Sequence, residues 1–239
     1  MIAHIMASLL SAAIIGSGIA MPASAAPSTP APQAAAKHPY DKFECGNIGN
    51  KVFLTFDDAP PSKKKFKQLI DEAARLKIAI GIVPNGSAVN AGTAPVDYAR
   101  SKGMPVMDHA YNHVLLTKLS YSKVVWQITR SYIGSNFVRP PYGAHNATVR
   151  KALKDKGKRN CLWNLDPEDW KGGKSPKAAA DYIIRNARKG STAVVHLQHL
   201  GKDASQLARI KKGLAKRGLE LCPVLSAPTP KKLPKVLCS

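Results

Sequence analysis

Five short stretches of this chain concentrate the side chains that can do chemistry, and each follows an apolar run. Asp57-Asp58 follow KVFLTF (51–56), and Asp108-His109 with His113 follow MPVM (104–107). Arg139 follows NFV (136–138), Asp166, Asp169 and Trp170 follow NCLWNL (160–165), and His196 follows TAVV (192–195). His109 and His113 are spaced i, i+4, so both imidazoles can face one ion if the segment is helical or tightly turned. A carboxylate from Asp57 or Asp58 would complete a set of two histidines and one aspartate. That set leaves a position open for water, the pattern of catalytic rather than structural zinc. Adjacent carboxylates repel each other unless a cation or proton intervenes, so one can ligate a metal while the other stays free as a base. The turn demanded by Pro60-Pro61 needs only one Asp.

The remaining stretches suit supporting roles. Two prolines after Arg139, in RPPYG (139–143), stiffen the backbone and suit it to hold an arginine and a backbone N–H in place. Asp166 or Asp169 could orient a histidine as general acid, and Trp170 could wall an acyl pocket. His196 should emerge where its strand ends; His199 reads as structural or substrate-facing.

The elements that must position these groups are short apolar runs alternating with amphipathic helical patterns. Two further runs, IAIGIV (78–83) and LELCPV (219–224), bring the expected strands to seven. Several lack polar alternation, as strands buried on both faces do. Helical periodicity covers 63–77, 95–102, 120–133, 146–157, 176–189 and 204–217, with Ser120 and Ser175 as N-caps and Gly190 and Gly218 as C-terminal stops. Strands alternating with helices imply βα units and a parallel sheet, closed as a barrel or open and doubly wound. In a βα barrel the C-terminal strand ends share one face, which would gather the five stretches at one rim.

The whole chain has 239 residues, 44% of them hydrophobic, which suits one domain with small appendages. Its formal net charge of +21 favours an anionic partner or substrate. Residues 1–25 read as a secretory signal, with an apolar stretch and Ala23-Ser24-Ala25 as cleavage pattern, so no stable membrane insertion is expected after cleavage. A Pro/Ala-rich linker (26–42), a catalytic domain (43–226) and a Pro/Lys-rich tail (227–239) follow. Cys45, Cys161, Cys222 and Cys238 imply two disulfides in an exported chain, with three pairings open. The absence of C-x-x-C argues against a structural zinc–thiolate site. A secreted metal nuclease fits the charge and H-x₃-H, but no phosphate-cradling Gly-rich loop accompanies them, and no nucleic-acid partner is expected.

TFDDAP (55–60), HAYNH (109–113), RPPYG (139–143), DPEDW (166–170) and VVHL (194–197) resemble, in order, the five motifs of the polysaccharide deacetylases, the NodB-homology group of carbohydrate esterase family 4. The resemblance spans roughly 45–225. It implies an α/β fold, a distorted (β/α)₇ barrel, and a divalent metal, usually zinc and sometimes cobalt, on Asp58, His109 and His113. It further implies Asp57 as general base, His196 as general acid and Arg139 as the holder of Asp57. Asp169 or Asp166 would orient His196, and the Tyr142 N–H would face the oxyanion. The expected function is removal of N- or O-acetyl groups from a polymer such as peptidoglycan, chitin or xylan by a monomer that is secreted or wall-associated. Ala59 stands where the family has Gly, Ala110 where it has Ser or Thr, and Leu197 where it commonly has Asp. Those departures keep a second reading in view, a catalytically degenerate module that binds anionic wall polymer.

Overall fold

The structure, a computed structural model, describes residues 45–47 and 49–238, so the expected leader and linker lie outside the described residues. At its centre is β1 (Phe53–Asp57), in which every residue is buried. β2 (Ile80–Val83) and β5 (Thr192–His196) flank it, both parallel, with Asp57 in register with Val83 on one side and His196 on the other. β3 (Phe137–Val138) and β4 (Arg159–Asn160) form a second parallel pair. Single bridges connect the pieces: Ile82 to Val106, Asp108 to Val138, and Leu165 to Ala193 of β5. Continuous apolar strands of this kind are expected where helices cover a parallel sheet.

The seven expected strand runs are all paired, but two of them make only isolated bridges, through Val106 and Asp108 at the third run and Leu221 and Pro223 at the seventh. Pro105 and Pro223 interrupt these runs, and a proline cannot donate to a ladder. All six expected helices are present, trimmed at their C-terminal ends: α1 (Lys63–Arg75), α3 (Val96–Ser101), α4 (Tyr121–Thr129), α5 (Ala147–Asp155), α6 (Pro176–Asn186) and α7 (Ser205–Ala215). A seventh, α2 (Gly86–Asn90), is too short for periodicity to reveal. Ser175 caps α6 by accepting from the Ala178 N–H at 3.1 Å. Ser120 occupies the N-cap of α4 but makes no capping hydrogen bond. Gly218 closes α7 at φ +67, with its N–H on the Ala215 carbonyl, and Gly190 (φ +78) lies in the turn into β5, beyond the C-cap Ala187.

The main core packs β1, β2 and β5 against Phe66, Leu69 and Ile70 of α1, Ala180 and Ile183 of α6, and Leu207, Ile210 and Leu214 of α7. The cysteines pair as Cys45–Cys161 and Cys222–Cys238. The C-terminal segment runs over the domain, held where the Asn136 side chain bonds the Leu233 backbone at 2.9 and 2.8 Å and where Thr229 Oγ1 donates to the Met104 carbonyl. Among the described residues, no helix is long and apolar enough to cross a membrane.

One buried ion pair lies behind the strand end that leads into the histidines. Asp108 is fully buried and receives Lys158 Nζ at 2.6 Å and Ser131 Oγ at 2.5 Å. Burial pushes its carboxyl above the usual range, and the Lys158 charge opposes that shift. Lys158→Met would strand this carboxylate and lower stability by about 3–5 kcal/mol, whereas adding Asp108→Asn should recover most of the loss. Urea denaturation of the single and double variants measures both.

Candidate active site

Asp57 is the last residue of β1 and only 2% exposed, so its carboxylate needs a buried partner. Arg139, which follows β3 and has no exposed surface, supplies it: Nη1 donates to Asp57 Oδ1 at 2.5 Å and to Thr55 Oγ1 at 2.8 Å. The guanidinium is itself held from behind. Nε donates to the Cys161 carbonyl at 3.0 Å, and Nη2 reaches Cys45 Sγ of the disulfide at 2.9 Å. With its guanidinium in place, the Arg139 backbone carbonyl accepts from His109 Nδ1 at 2.8 Å.

That last bond decides the tautomer of His109. A carbonyl only accepts, so Nδ1 carries the proton and Nε2 of the neutral ring presents a lone pair. Nε2 lies 3.3 Å from Asp58 Oδ1, and His113 Nε2 lies 3.4 Å from the same oxygen. Asp58 Oδ1 is buried and has no hydrogen-bond partner. An anionic oxygen facing a ring lone pair without a proton between them is a donor set that suits a cation. The ligand atoms of Asp58, His109 and His113 lie within 4.8 Å of one another, so these three residues fit a divalent metal. Burial opposes ionisation of Asp58, but the surrounding histidines and the Gln198 amide outweigh it and hold the carboxyl well below its usual range. Burial pushes the His113 imidazole down, which favours the neutral ligand form.

On the other side of β1, register places His196 directly beside Asp57. His196 Nδ1 bonds Asp169 Oδ1 at 2.6 Å, while Asp169 Oδ2 accepts from the backbone N–H groups of His196 (2.9 Å) and Leu200 (3.0 Å). Burial works against the protonated imidazole, but the Asp169 hydrogen bond and the charges of Asp57, Asp169 and Asp58 raise its pKa overall. Asp166 does not share this contact: its Oδ1 accepts from the Glu168 N–H at 2.7 Å, and burial pushes its carboxyl up. His199 stacks edge-on to His196 at 5.9 Å between ring centroids. Trp170 is half exposed, and Tyr142 is exposed with its ring edge-on to His113 at 4.5 Å.

Local backbone geometry aims these groups. Asp58, Ala110 and Tyr142 all adopt positive φ, at 72°, 60° and 62°. Left-handed non-glycine residues are costly and gather at functional sites. Ala59 has no such conformation, because the reversal after β1 is made at Asp58, so Ala in place of Gly meets no φ constraint.

Three contributors escaped sequence reasoning. Gln198 donates from Nε2 to Asp58 Oδ2 at 2.9 Å. Thr55 joins Arg139 to β5 through the Ala193 carbonyl at 2.7 Å. The Cys45–Cys161 disulfide backs the guanidinium. Gln198 gave a signal only in its position, two residues beyond His196 at the same strand end; the other two reach Arg139 through long-range packing.

A family model described as polysaccharide deacetylase matches residues 47–161. The peptidoglycan-N-acetylmuramic acid deacetylase PdaC of Bacillus subtilis is 31% identical over 182 residues, 72% of this chain and 38% of that protein. Its solved structure matches with a TM-score of 0.63 at 29% identity, covering 73% of this chain and 88% of that one. This chain belongs to the polysaccharide deacetylase family. Its α/β fold with parallel strands is that of the NodB-homology deacetylases, as the motifs led one to expect. A bifunctional xylanase/xylan deacetylase of Cellvibrio japonicus is 26% identical over 74% of this chain and 27% of that protein. The chain thus spans less than half the length of these curated relatives. A Bacillus anthracis protein described as a carbohydrate esterase family 4 pseudoenzyme has the same fold, with a TM-score of 0.63 at 17% identity over 73% of this chain and 63% of that one. Family membership alone therefore does not decide activity; the side chains at the site must.

If Gln198 steadies a metal ligand, Gln198→Ala should weaken zinc binding about tenfold, as loss of a group behind a ligand does. Calorimetric titration of the apo protein with zinc measures it, and unchanged affinity would remove Gln198 from the site.

Proposed function

We propose that this chain is a secreted, metal-dependent polysaccharide deacetylase that hydrolyses acetyl groups on a sugar polymer of the peptidoglycan, chitin or xylan type. The observation that carries the reading is the pairing of Asp57 and His196 on adjacent strands, one clamped by Arg139 and the other by Asp169, beside the Asp58–His109–His113 group. A base and an acid at one level of neighbouring strands, whose axes are about 4.8 Å apart, can serve the two sides of one acetyl group.

A divalent zinc or cobalt ion on Asp58, His109 and His113 would acidify a water and polarise the acetyl carbonyl. Asp57 takes the water proton on Oδ2, because Oδ1 is engaged by Arg139. The Tyr142 backbone N–H, turned by its positive φ, faces the oxygen on which negative charge develops. His196 keeps Nδ1 on the Asp169 carboxylate, which leaves the Nε2 proton for the departing amine or alcohol. Trp170 stands half exposed beyond Asp169, where it can bound the acyl pocket. Asp166 is the weaker choice for orienting His196, since its carboxylate is engaged with Glu168.

Support for export comes from the leader-like first 25 residues and the two disulfides, which persist in oxidising compartments. PdaC and the Cellvibrio enzyme are named for peptidoglycan and xylan, polymers found outside the cytoplasm.

The mature chain should release acetate from at least one of peptidoglycan, chitin oligomers and acetylxylan. Chelator should abolish that release, and Asp57→Asn should lower it by roughly 1,000-fold or more. Release from none of these, with zinc or cobalt supplied, would favour the degenerate binding module. The pH profile tests the acid separately. His196 acts protonated and its pKa is raised, so activity should persist above the usual histidine range and fall as the proton is lost. Asp169→Asn removes a raising charge, so the alkaline limb should move down by roughly one pH unit.

A further inference from the structure

The loop that carries both histidines of the metal group also carries Tyr111, and that ring opens onto an exposed aromatic surface. Gln127 of α4 accepts through Oε1 from the N–H groups of Tyr111 (3.1 Å) and Asn112 (2.9 Å), which ties the loop to the helix. The neighbouring Trp126 then meets Tyr111 edge-on at 5.2 Å between centroids, and Tyr132 meets it edge-on at 6.1 Å. Trp126 is 45% exposed and Tyr132 is 59% exposed. Single exposed aromatics are ordinary, but two exposed rings that both contact a third beside a site form an aromatic surface suited to binding. Their rings offer electron-rich faces to the apolar C–H face of a pyranose while leaving its hydroxyls to water. Lys123 stands on α4 three residues before Trp126, Arg130 is the C-cap residue four after it, and both are exposed.

We propose that Tyr111, Trp126 and Tyr132, flanked by Lys123 and Arg130, form a subsite for a carboxylate-bearing sugar of the glycan, at least one unit away from the acetyl group that reacts. The rings stack on the sugar, and the two cations select its charge. The assignment rests on the polysaccharide reading above and narrows it to acidic glycans. It also gives part of the +21 charge a specific task.

The test compares wild type with Trp126→Ala/Tyr132→Ala and with Lys123→Gln/Arg130→Gln. Probes are a soluble peptidoglycan tetrasaccharide carrying its lactyl carboxylates, neutral chitotetraose, and the disaccharides of each. KM and kcat come from acetate release, and Kd comes from calorimetry, which needs no turnover. The aromatic variant should raise KM and Kd for the acidic tetrasaccharide about tenfold, with kcat retained and the disaccharides little affected. The Lys/Arg variant should raise both for the acidic tetrasaccharide alone. All the altered side chains lie at the surface, so thermal midpoints should match wild type and separate a binding loss from unfolding. Unchanged Kd for the acidic tetrasaccharide in the aromatic variant would overturn the subsite while leaving the deacetylase reading intact. Equal loss on acidic and neutral tetrasaccharides in the Lys/Arg variant would overturn its preference for charge. If wild type releases no acetate but the Kd differences hold, the deacetylase reading falls and the subsite stands.

Discussion

The buried ion pair between Arg139 and Asp57 is the constraint around which the site is arranged. Both side chains are buried, and an unpaired charge at either position would cost several kcal/mol. The guanidinium therefore has to satisfy its donors inside the protein. It does so on the Asp57 carboxylate, the Thr55 hydroxyl, the Cys161 carbonyl and the sulfur of Cys45. These contacts join β1, the end of β3, the stretch after β4 and the first described residues of the chain. Because the Arg139 carbonyl also holds His109 Nδ1, one residue orients both the candidate base and a candidate metal ligand.

A common logic governs the other groups. Four of the candidate side chains each have one polar atom anchored and another left free. Asp57 is anchored through Oδ1 to Arg139, and Asp58 through Oδ2 to Gln198. His109 is anchored through Nδ1 to a backbone carbonyl, and His196 through Nδ1 to Asp169. The free atoms are Asp57 Oδ2, Asp58 Oδ1 and the two Nε2 atoms, and the proposed chemistry uses them. Anchoring of this kind lowers the reorganisation needed when charge develops, which is how a preorganised site outperforms water. It also separates the two adjacent aspartates, whose charges would otherwise oppose each other, into a guanidinium-bound carboxylate and one facing two imidazoles.

Strain and exposure are distributed to match. The left-handed residues Asp58, Ala110 and Tyr142 sit in the loops that carry the candidate site residues. The aromatic residues Tyr142, Trp170, Trp126 and Tyr132 are exposed instead of packed into the core, as suits surfaces that meet a sugar polymer. A protein described as a pseudoenzyme shares the fold, so a reading of activity rests on these side chains.

The sequence by itself determined the alternation of strands and helices, because apolar runs and 3.6-residue periodicity are local properties. It also determined which residues could do chemistry, since Asp57-Asp58, His109, His113, Arg139, Asp166, Asp169 and His196 each follow closely on an apolar run. It could not choose between Asp166 and Asp169, which are three residues apart in one loop; only the folded loop brings the Asp169 carboxylate to His196 and turns Asp166 onto Glu168. It could not pair the cysteines, because Cys45 and Cys161 are 116 residues apart and only strand packing brings them together behind Arg139. Gln198, Thr55 and the Tyr111–Trp126–Tyr132 surface were hidden for the same reason. Composition and periodicity report what a residue is and which face it shares with near neighbours, whereas a hydrogen bond or ring contact across the fold exists only once the strands are in register.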